Sequence, residues 1–276
     1  MPTLRERQLA IVLLDLIGST DFVQKHGARK SAEWFQYHDR LARSLLRRFD
    51  GREIDRSDGF LLSFERIQDA VTFALVYQDT IPNKTRLETR IGVHWGPVVE
   101  VEQDELETMV GAKRFELEGI SKNITARVMS MCRPRQVLLT SEAWTAVRGR
   151  LDSRTPKGSR FACVGLYRLK GIQSPQVLYA VGTTIESLQP PPSTEKTKRL
   201  GGPKRIRSHL RHMRLREFLW WLMLRLATVS AVYITVLLLP FLMNEDARKL
   251  WGLDTFPFQL FSVLRDIILF IRGLYE

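Results

Sequence analysis

The chain has 276 residues, 44% of them hydrophobic, so it is long enough for one sizeable domain with appendages and too apolar for a disordered chain. Its net charge of +12 is typical of proteins that meet nucleic acid or a membrane surface. The two cysteines, Cys132 and Cys163, have neither CxxC spacing nor a matching histidine cluster, which excludes a disulfide framework and a zinc-finger-type site. The first apolar run ends at Asp15, too early for a signal peptide, so we expect the N-terminal portion in the cytoplasm.

Between residues 8 and 181, short β-branched apolar runs alternate with longer amphipathic stretches, a pattern typical of α/β and α+β domains. The predicted strands are 9–14, 52–54, 59–64, 88–101, 136–140, 161–169 and 176–181. The predicted helices follow Ser19 and Thr20, cover 32–49, 67–79 and 120–131, and begin again near Ser141. The hairpin between the second and third strands carries Asp58 beside Gly59 in its tight turn.

Residues 184–216 are rich in proline, glycine and basic side chains and are predicted to form a linker. The nine lysines and arginines between residues 196 and 216 directly precede an apolar stretch, 217–243, whose part from Leu226 to Met243 is uncharged. That length and composition predict a membrane-spanning helix, with a buried helix of a soluble domain as the alternative. The basic residues before it favour an inner-membrane anchor with the N-terminal domain in the cytoplasm.

Residues 244–276 form a second apolar segment that Arg265, Asp266 and Arg272 interrupt. It fits a returning membrane hairpin or an amphipathic helix lying in the interface equally well. The basic block lacks interleaved aromatic residues and adjoins an apolar span, so we expect anionic lipid headgroups as its partner and no nucleic acid.

Two short segments place an aspartate where an apolar run meets a turn: Leu13–Thr20, with Asp15, and Arg56–Phe64, with Asp58. Carboxylates on neighbouring strand ends can hold divalent metal over a phosphate. The turn residues that follow Asp15 offer backbone N–H groups and a helix N-terminus to that phosphate; they are Gly18, Ser19 and Thr20. Taken singly, Asp15 also fits a helix cap, and Asp58 a hairpin turn residue.

Four further segments follow in order: RIGVHWGPVV at 90–99, EGISKNITAR at 118–127, QVLLT at 136–140 and LKG at 169–171. With the two aspartate segments, this series resembles the class III adenylate/guanylate cyclase catalytic domain over residues 1–183. The resemblance implies an α+β fold, a ferredoxin-like sandwich in each chain, and active sites formed between two chains placed head to tail. A homodimer would then hold two complete sites.

By position in that family, Asp15 and Asp58 correspond to the aspartates that hold two divalent cations, Mn²⁺ or Mg²⁺, with the backbone carbonyl of Leu16 or Ile17 as a further ligand. Asn123 and Arg127 correspond to the catalytic pair that stabilises the transition state. They are four residues apart on a predicted helix and therefore share one face. Lys170 corresponds to the phosphate-binding lysine. Read without the resemblance, the pair fits a solvated helix face and Lys170 a surface lysine.

The positions that read the base in that family are Ile54 and Glu116, which match neither the adenylate nor the guanylate pattern. Ile54 has no hydrogen-bonding group, and Glu116 is an acceptor suited to a uracil N–H or a cytosine amine. Trp95 is expected to add bulk near the site. The combination resembles the pyrimidine cyclases of Pycsar antiphage systems, which make cyclic UMP or cyclic CMP for a separate cyclic-nucleotide-activated effector. The alternatives are a membrane-anchored adenylate or guanylate cyclase of ordinary signalling and a non-catalytic dimerisation or sensor module.

Overall fold

The computed structural model describes residues 2–57, 59–85, 87–151, 153–202, 223–228 and 230–231. Within residues 2–202 of that set, nine strands form one mixed sheet. The strands are β1 (Thr3–Ile17), β2 (Arg52–Arg56), β3 (Gly59–Phe64), β4 (Glu88–Glu102), β5 (Phe115–Glu118), β6 (Val137–Thr140), β7 (Arg160–Leu169), β8 (Gln176–Gly182) and β9 (Thr197–Gly201). The helices are α1 (Ser19–His26), α2 (Ala28–Arg48), α3 (Ile67–Thr85), α4 (Glu105–Met109), α5 (Ile120–Met131), α6 (Ser141–Val147) and a short 3-10 helix, Glu186–Leu188.

The strands run in the order β2-β3-β1-β4-β6-β8-β7-β9, and β5 pairs with β4 outside that row. The longest pairing joins β1 antiparallel to β4, from Thr3 opposite Glu102 to Ile17 opposite Glu88. The pairing of β4 with β6 is parallel, because the chain between them passes through α5 and returns in the same direction. The predicted α+β class is therefore confirmed.

Alternation along β1 and β4 divides the core between the two faces of the sheet. Val12 and Leu14 face the layer of α2, α3 and α6, where Phe73 and Tyr77 of α3 are fully buried. On the opposite face, α5 packs Val128 against strands β6 to β8. Helices thus cover both faces, and α5, which carries the predicted catalytic pair, lies on the opposite face from the large aromatic core.

The first predicted strand is much longer in the structure, and two elements between β4 and α5 were not predicted. The first strand begins at Thr3 because its polar first half is paired with β4, a contact that leaves no apolar pattern in the sequence. The excursion after β4 contains α4, capped by the Asp104 side chain accepting from Glu107 N at 3.0 Å, and β5. Both are short and have no regular apolar period, so local pattern did not reveal them.

The prediction that 184–216 is a linker was wrong for residues 186–201. This stretch forms the 3-10 helix and β9, which pairs antiparallel with the edge strand β7. Its backbone also satisfies buried side chains of the domain: Gln189 O accepts from Gln136 Nε2 at 2.7 Å, and Pro191 O from the Tyr167 hydroxyl at 3.2 Å. The proline-rich composition therefore reflects an ordered strap, and the domain extends past residue 183.

The predicted membrane helix, 217–243, and the second apolar segment, 244–276, lie outside the described residues except for 223–228 and 230–231, which are helical. None of the helices in the described part of the chain has the length and apolar character needed to cross a bilayer. The membrane predictions therefore stay predictions.

We expect a chain that ends at residue 183 to be less stable than one that ends at residue 202. The shorter chain loses β9 and the acceptors of Tyr167 and Gln136, and each buried polar group left unpaired costs about 1–3 kcal/mol. Urea unfolding followed by circular dichroism measures the free energy of unfolding of both chains. Equal midpoints would show that the strap contributes nothing to the fold.

Candidate active site

Asp15 lies near the end of β1, between two neighbouring strands. Its partners in the sheet are Gly59 of β3 and Arg90 of β4. A side chain at Gly59 would meet Leu14 O at 1.9 Å, so only glycine permits the close approach of β3 beside Asp15. Asp58, which directly precedes Gly59 in the chain, lies outside the described residues, so its role as a second metal ligand stays a prediction.

Arg90 binds Asp15 and was not assigned a role from the sequence. Its Nε and Nη2 donate to Asp15 Oδ2 at 3.0 and 2.7 Å, and its Nη1 donates to the backbone carbonyl of Ser130 at 3.1 Å. Both charged groups are largely removed from solvent. The signal was an arginine within an otherwise apolar strand, but its partner depends on the pairing of β1 with β4. Arg90 thereby orients the Asp15 carboxylate and ties it to the last turn of α5.

The chain after Asp15 turns directly into α1. Gly18 adopts the left-handed conformation that turns the backbone into α1, with φ 68°. Ser19 and Thr20 open that helix and line a cavity of about 250 Å³, together with Leu16, Val23, Phe35, Arg56 and Ser57. A helix N-terminus attracts anions because its first N–H groups point outward and its dipole is positive there. The three residues predicted to receive phosphate therefore lie together beside Asp15.

Oxygen ligands of the kind that Mg²⁺ and Mn²⁺ prefer are available at this strand end. Both hydrogen bonds from Arg90 are accepted by Asp15 Oδ2, so Arg90 does not occupy Oδ1. Within the described residues, no group of three or more histidine, cysteine, aspartate or glutamate side chains is placed to hold a metal. A carboxylate from Asp15, one from Asp58 and the Leu16 carbonyl would form a set of hard oxygen donors suited to these cations.

The predicted catalytic pair lies on α5, on the opposite side from the buried residues Ile124 and Val128. Asn123 is exposed, and Arg127 Nε reaches the backbone carbonyl of Lys170 at 3.4 Å. The Lys170 N–H in turn donates to Lys196 O at 2.8 Å, in the strap before β9. The structure therefore brings Arg127 and Lys170 together at the end of β7.

Asp15 lies on β1, and Lys170 directly follows β7. From β1 to β7 the sheet order contains four steps between neighbouring strands, which amount to about 19 Å. Helix α5 spans part of that distance: Arg90 links Asp15 to Ser130, which lies three residues, or about 4.5 Å, beyond Arg127 and seven residues, or about 10 Å, beyond Asn123.

Of the two predicted base-reading residues, Ile54 belongs to an apolar cluster and Glu116 lies on the short strand β5. Ile54 is 7% exposed and packs with Leu9, Ile11 and Val98 on the face that α5 occupies. Glu116 is half-buried on β5, opposite Val101. A buried isoleucine in this cluster offers a base only apolar contact.

The expectation that Trp95 adds bulk near the site was wrong. Its side chain packs on the aromatic core beneath α2, α3 and α6. Neighbouring residues His94 and Gly96 face α5, because successive side chains of a strand alternate between the faces. The register of β4 with β1 decides this orientation, and the sequence motif does not show it.

No protein-family model matches the chain. A stretch of 103 residues is 27% identical to the serine/threonine-protein kinase pkn2 of Myxococcus xanthus, covering 34% of this chain and 12% of that protein, so the chain spans a small part of that relative's length.

The adenylyl cyclase CyaB from P. aeruginosa superposes with a TM-score of 0.57 at 14% identity, covering 65% of this chain and 95% of that one. The guanylate cyclase domain of RhGC from Catenaria anguillulae, solved with GTP, gives 0.54 at 16% identity, covering 64% and 97%. The chain has the fold of adenylyl and guanylyl cyclase catalytic domains.

Proposed function

We propose that this chain is a nucleotidyl cyclase, which converts a nucleoside triphosphate into a 3′,5′-cyclic nucleotide and pyrophosphate. The observation that carries the proposal is the cyclase fold with Asp15 at a strand end, directly before the cavity at the start of α1. Arg127, whose Nε reaches the Lys170 backbone carbonyl, supplies a cationic group of the kind that phosphoryl chemistry needs.

The reaction is an in-line displacement at the α-phosphorus. The ribose 3′-oxygen forms a bond to that phosphorus and loses its proton to solvent, while the bond to the bridging oxygen breaks and its electron pair leaves with pyrophosphate. Holding both reacting groups of one molecule in line removes most of the entropic barrier, so positioning is the first task of the site. Absorbing the charge that develops on the phosphoryl oxygens is the second.

Asp15, Asp58 and the Leu16 carbonyl would hold two divalent cations. Bound there, the cations supply Lewis-acid stabilisation of phosphate charge and a lower pKa for the 3′-hydroxyl. Arg90 keeps the Asp15 carboxylate in one orientation through two hydrogen bonds. Side chains that orient a metal ligand typically contribute about 10- to 100-fold to metal affinity or activity. We expect a contribution of about that size from Arg90.

Arg127 and Asn123 would act on the substrate from the side opposite the metal residues Asp15 and Asp58. A planar guanidinium can donate to two phosphoryl oxygens at once, and the Lys170 carbonyl fixes its Nε edge. Asn123, one helical turn earlier, can hold the ribose. From the resemblance to class III cyclases, whose active sites form between two chains placed head to tail, we propose that a homodimer assembles two sites, each with Asp15 from one chain and Arg127 from its partner. The metal residues and the Asn123 and Arg127 pair are then two half-sites of each chain.

The proposed base is a pyrimidine, uracil or cytosine, giving cyclic UMP or cyclic CMP. Ile54 has no polar atom for a purine edge, and Glu116 on β5 is an acceptor. We further propose that the cyclic nucleotide serves antiphage defence through a separate cyclic-nucleotide-activated effector. The C-terminal apolar segments would hold the enzyme at the inner membrane with its catalytic domain in the cytoplasm.

One assay tests both activity and base. The purified full-length chain is incubated with Mn²⁺ or Mg²⁺ and each of ATP, GTP, UTP and CTP, and products are identified by mass spectrometry. We expect UTP or CTP to give a cyclic nucleotide and pyrophosphate at least tenfold faster than either purine. Faster turnover of ATP or GTP would indicate a purine cyclase, and no turnover of any triphosphate would favour a non-catalytic module.

A further inference from the structure

The strap formed by residues 186–201 contributes to the core beneath α5. Helix α5 buries Ile124 and Val128 in an apolar cluster with side chains of β6, β7 and β8. Leu188, in the 3-10 helix of the strap, packs against the same cluster. The strap therefore completes the surface on which the helix of Arg127 rests.

Backbone oxygens of the strap also hold the chain where it leaves α5. Two residues after the helix ends, Arg133 Nε donates to Pro190 O at 3.0 Å. The buried side chain of Gln136 accepts from Arg133 N at its Oε1, at 3.1 Å. Its Nε2 donates to the carbonyl oxygens of Ser187 and Gln189 at 3.0 and 2.7 Å. One buried amide thus joins the end of α5 to the strap.

A second group of strap contacts lies beside Arg127. The Lys170 N–H donates to Lys196 O at 2.8 Å, and the Lys170 carbonyl accepts from Arg127 Nε at 3.4 Å. The next residues along, Leu169 and Thr197, are opposite each other in the pairing of β7 with β9. The strap, Lys170 and Arg127 are therefore connected by a continuous line of hydrogen bonds.

Resting on the proposed function, we propose that the strap is a positioning element for Arg127, and that Tyr167 and Gln136 hold the strap in place. A guanidinium stabilises a transition state only in the productive geometry, and a misplacement of about 1 Å can cost about 100-fold in rate. Loosening the strap should therefore reduce turnover although no group that contacts the substrate is removed.

Tyr167→Phe loosens the strap with a small change. The Tyr167 ring is fully buried, and its hydroxyl donates to Pro191 O at 3.2 Å, so phenylalanine keeps the ring and leaves that carbonyl without its donor. Tyr77→Phe is the matched control. Tyr77 is equally buried, and its hydroxyl is hydrogen-bonded to His38 on the opposite face of the sheet from α5. Both variants lose one buried hydrogen bond, but only Tyr167→Phe affects the strap.

Hydrogen exchange of the full-length chain, followed by mass spectrometry of its peptides, measures this coupling. In Tyr167→Phe we expect residues 186–191 and the last turn of α5, 128–131, to exchange about 5- to 100-fold faster, the range for a buried acceptor that loses its donor. In Tyr77→Phe both regions should stay within about twofold of the parent chain. Melting temperatures identify a variant that fails to fold; Arg133→Gln, which removes the bond to Pro190 from an exposed side chain, then takes the place of Tyr167→Phe.

Turnover provides the second measurement. Since Arg127 is proposed to act on the transition state, its displacement should lower the kcat of Tyr167→Phe about tenfold or more and change KM by less than about twofold. A strap that only stabilises the fold would leave the kcat of the folded variant at the parent value.

Hydrogen exchange needs no turnover, so the two proposals fail separately. Unchanged exchange of α5 in folded Tyr167→Phe, or equal acceleration in Tyr77→Phe, would overturn the positioning role even if the chain cyclises nucleotides. Faster exchange with an unchanged kcat would overturn it as well. Faster exchange confined to Tyr167→Phe, in a parent chain that cyclises none of the four triphosphates, would support the coupling of the strap to α5 and remove the proposed function.

Discussion

Replacing Asp15 with asparagine should reduce cyclic nucleotide formation by about a thousandfold or more, because the loss of a metal carboxylate removes several kcal/mol of transition-state stabilisation. Asparagine keeps the shape of the side chain and one acceptor for Arg90, so the sheet should still form. Steady-state rates with saturating Mn²⁺ and the binding of Mn²⁺ followed by electron paramagnetic resonance measure the two effects separately.

Glu65→Gln is a suitable control for Asp15→Asn. Glu65 follows β3 and forms an ion pair at 2.7 Å with Arg7, which lies on β1 eight residues before Asp15. An exposed pair of this kind contributes about 0–1 kcal/mol to stability, so the rate should be unchanged. An Asp15→Asn chain that retains Mn²⁺ affinity and more than a tenth of the parent rate would refute the metal role.

A mixture of two inactive variants should regain activity if sites are shared between chains. Asp15→Asn and Arg127→Ala damage different half-sites, so a heterodimer of the two has one site with both lesions and one intact site. Random pairing makes half of the dimers mixed, which restores about a quarter of the parent activity. The measurement is the rate of a co-expressed or refolded equimolar mixture relative to each variant alone.

The control for this mixture uses two lesions in the same half-site. Asp15→Asn mixed with Asp58→Asn leaves every site of every dimer without one metal carboxylate, so no activity should return. Recovery confined to the Asp15→Asn and Arg127→Ala mixture would support head-to-tail sharing. An inactive mixture of chains that do form mixed dimers would mean that each site is built within one chain.

The sequence predicted best the elements whose apolar residues repeat regularly because one face of the element is buried. The helix over residues 120–131 was predicted with the bounds it has in the structure, because the spacing of Ile124, Val128 and Met131 creates one buried stripe. The order of the aspartate, asparagine, arginine and lysine motifs likewise predicted the fold now shared with cyclase domains. The helix is determined by residues within a few turns of one another, whereas the fold was predicted from the order of motifs along the whole domain.

Tertiary structure decided everything that depends on residues distant in the chain. The strap at 186–201 is ordered because its backbone oxygens satisfy Gln136 and Tyr167, although its composition is that of a linker. Arg90 acquires its contact with Asp15 from the register of β4 with β1. The register between strands that are distant in the chain decides which side chains come into contact. The periodicity of apolar residues within one segment does not predict that register.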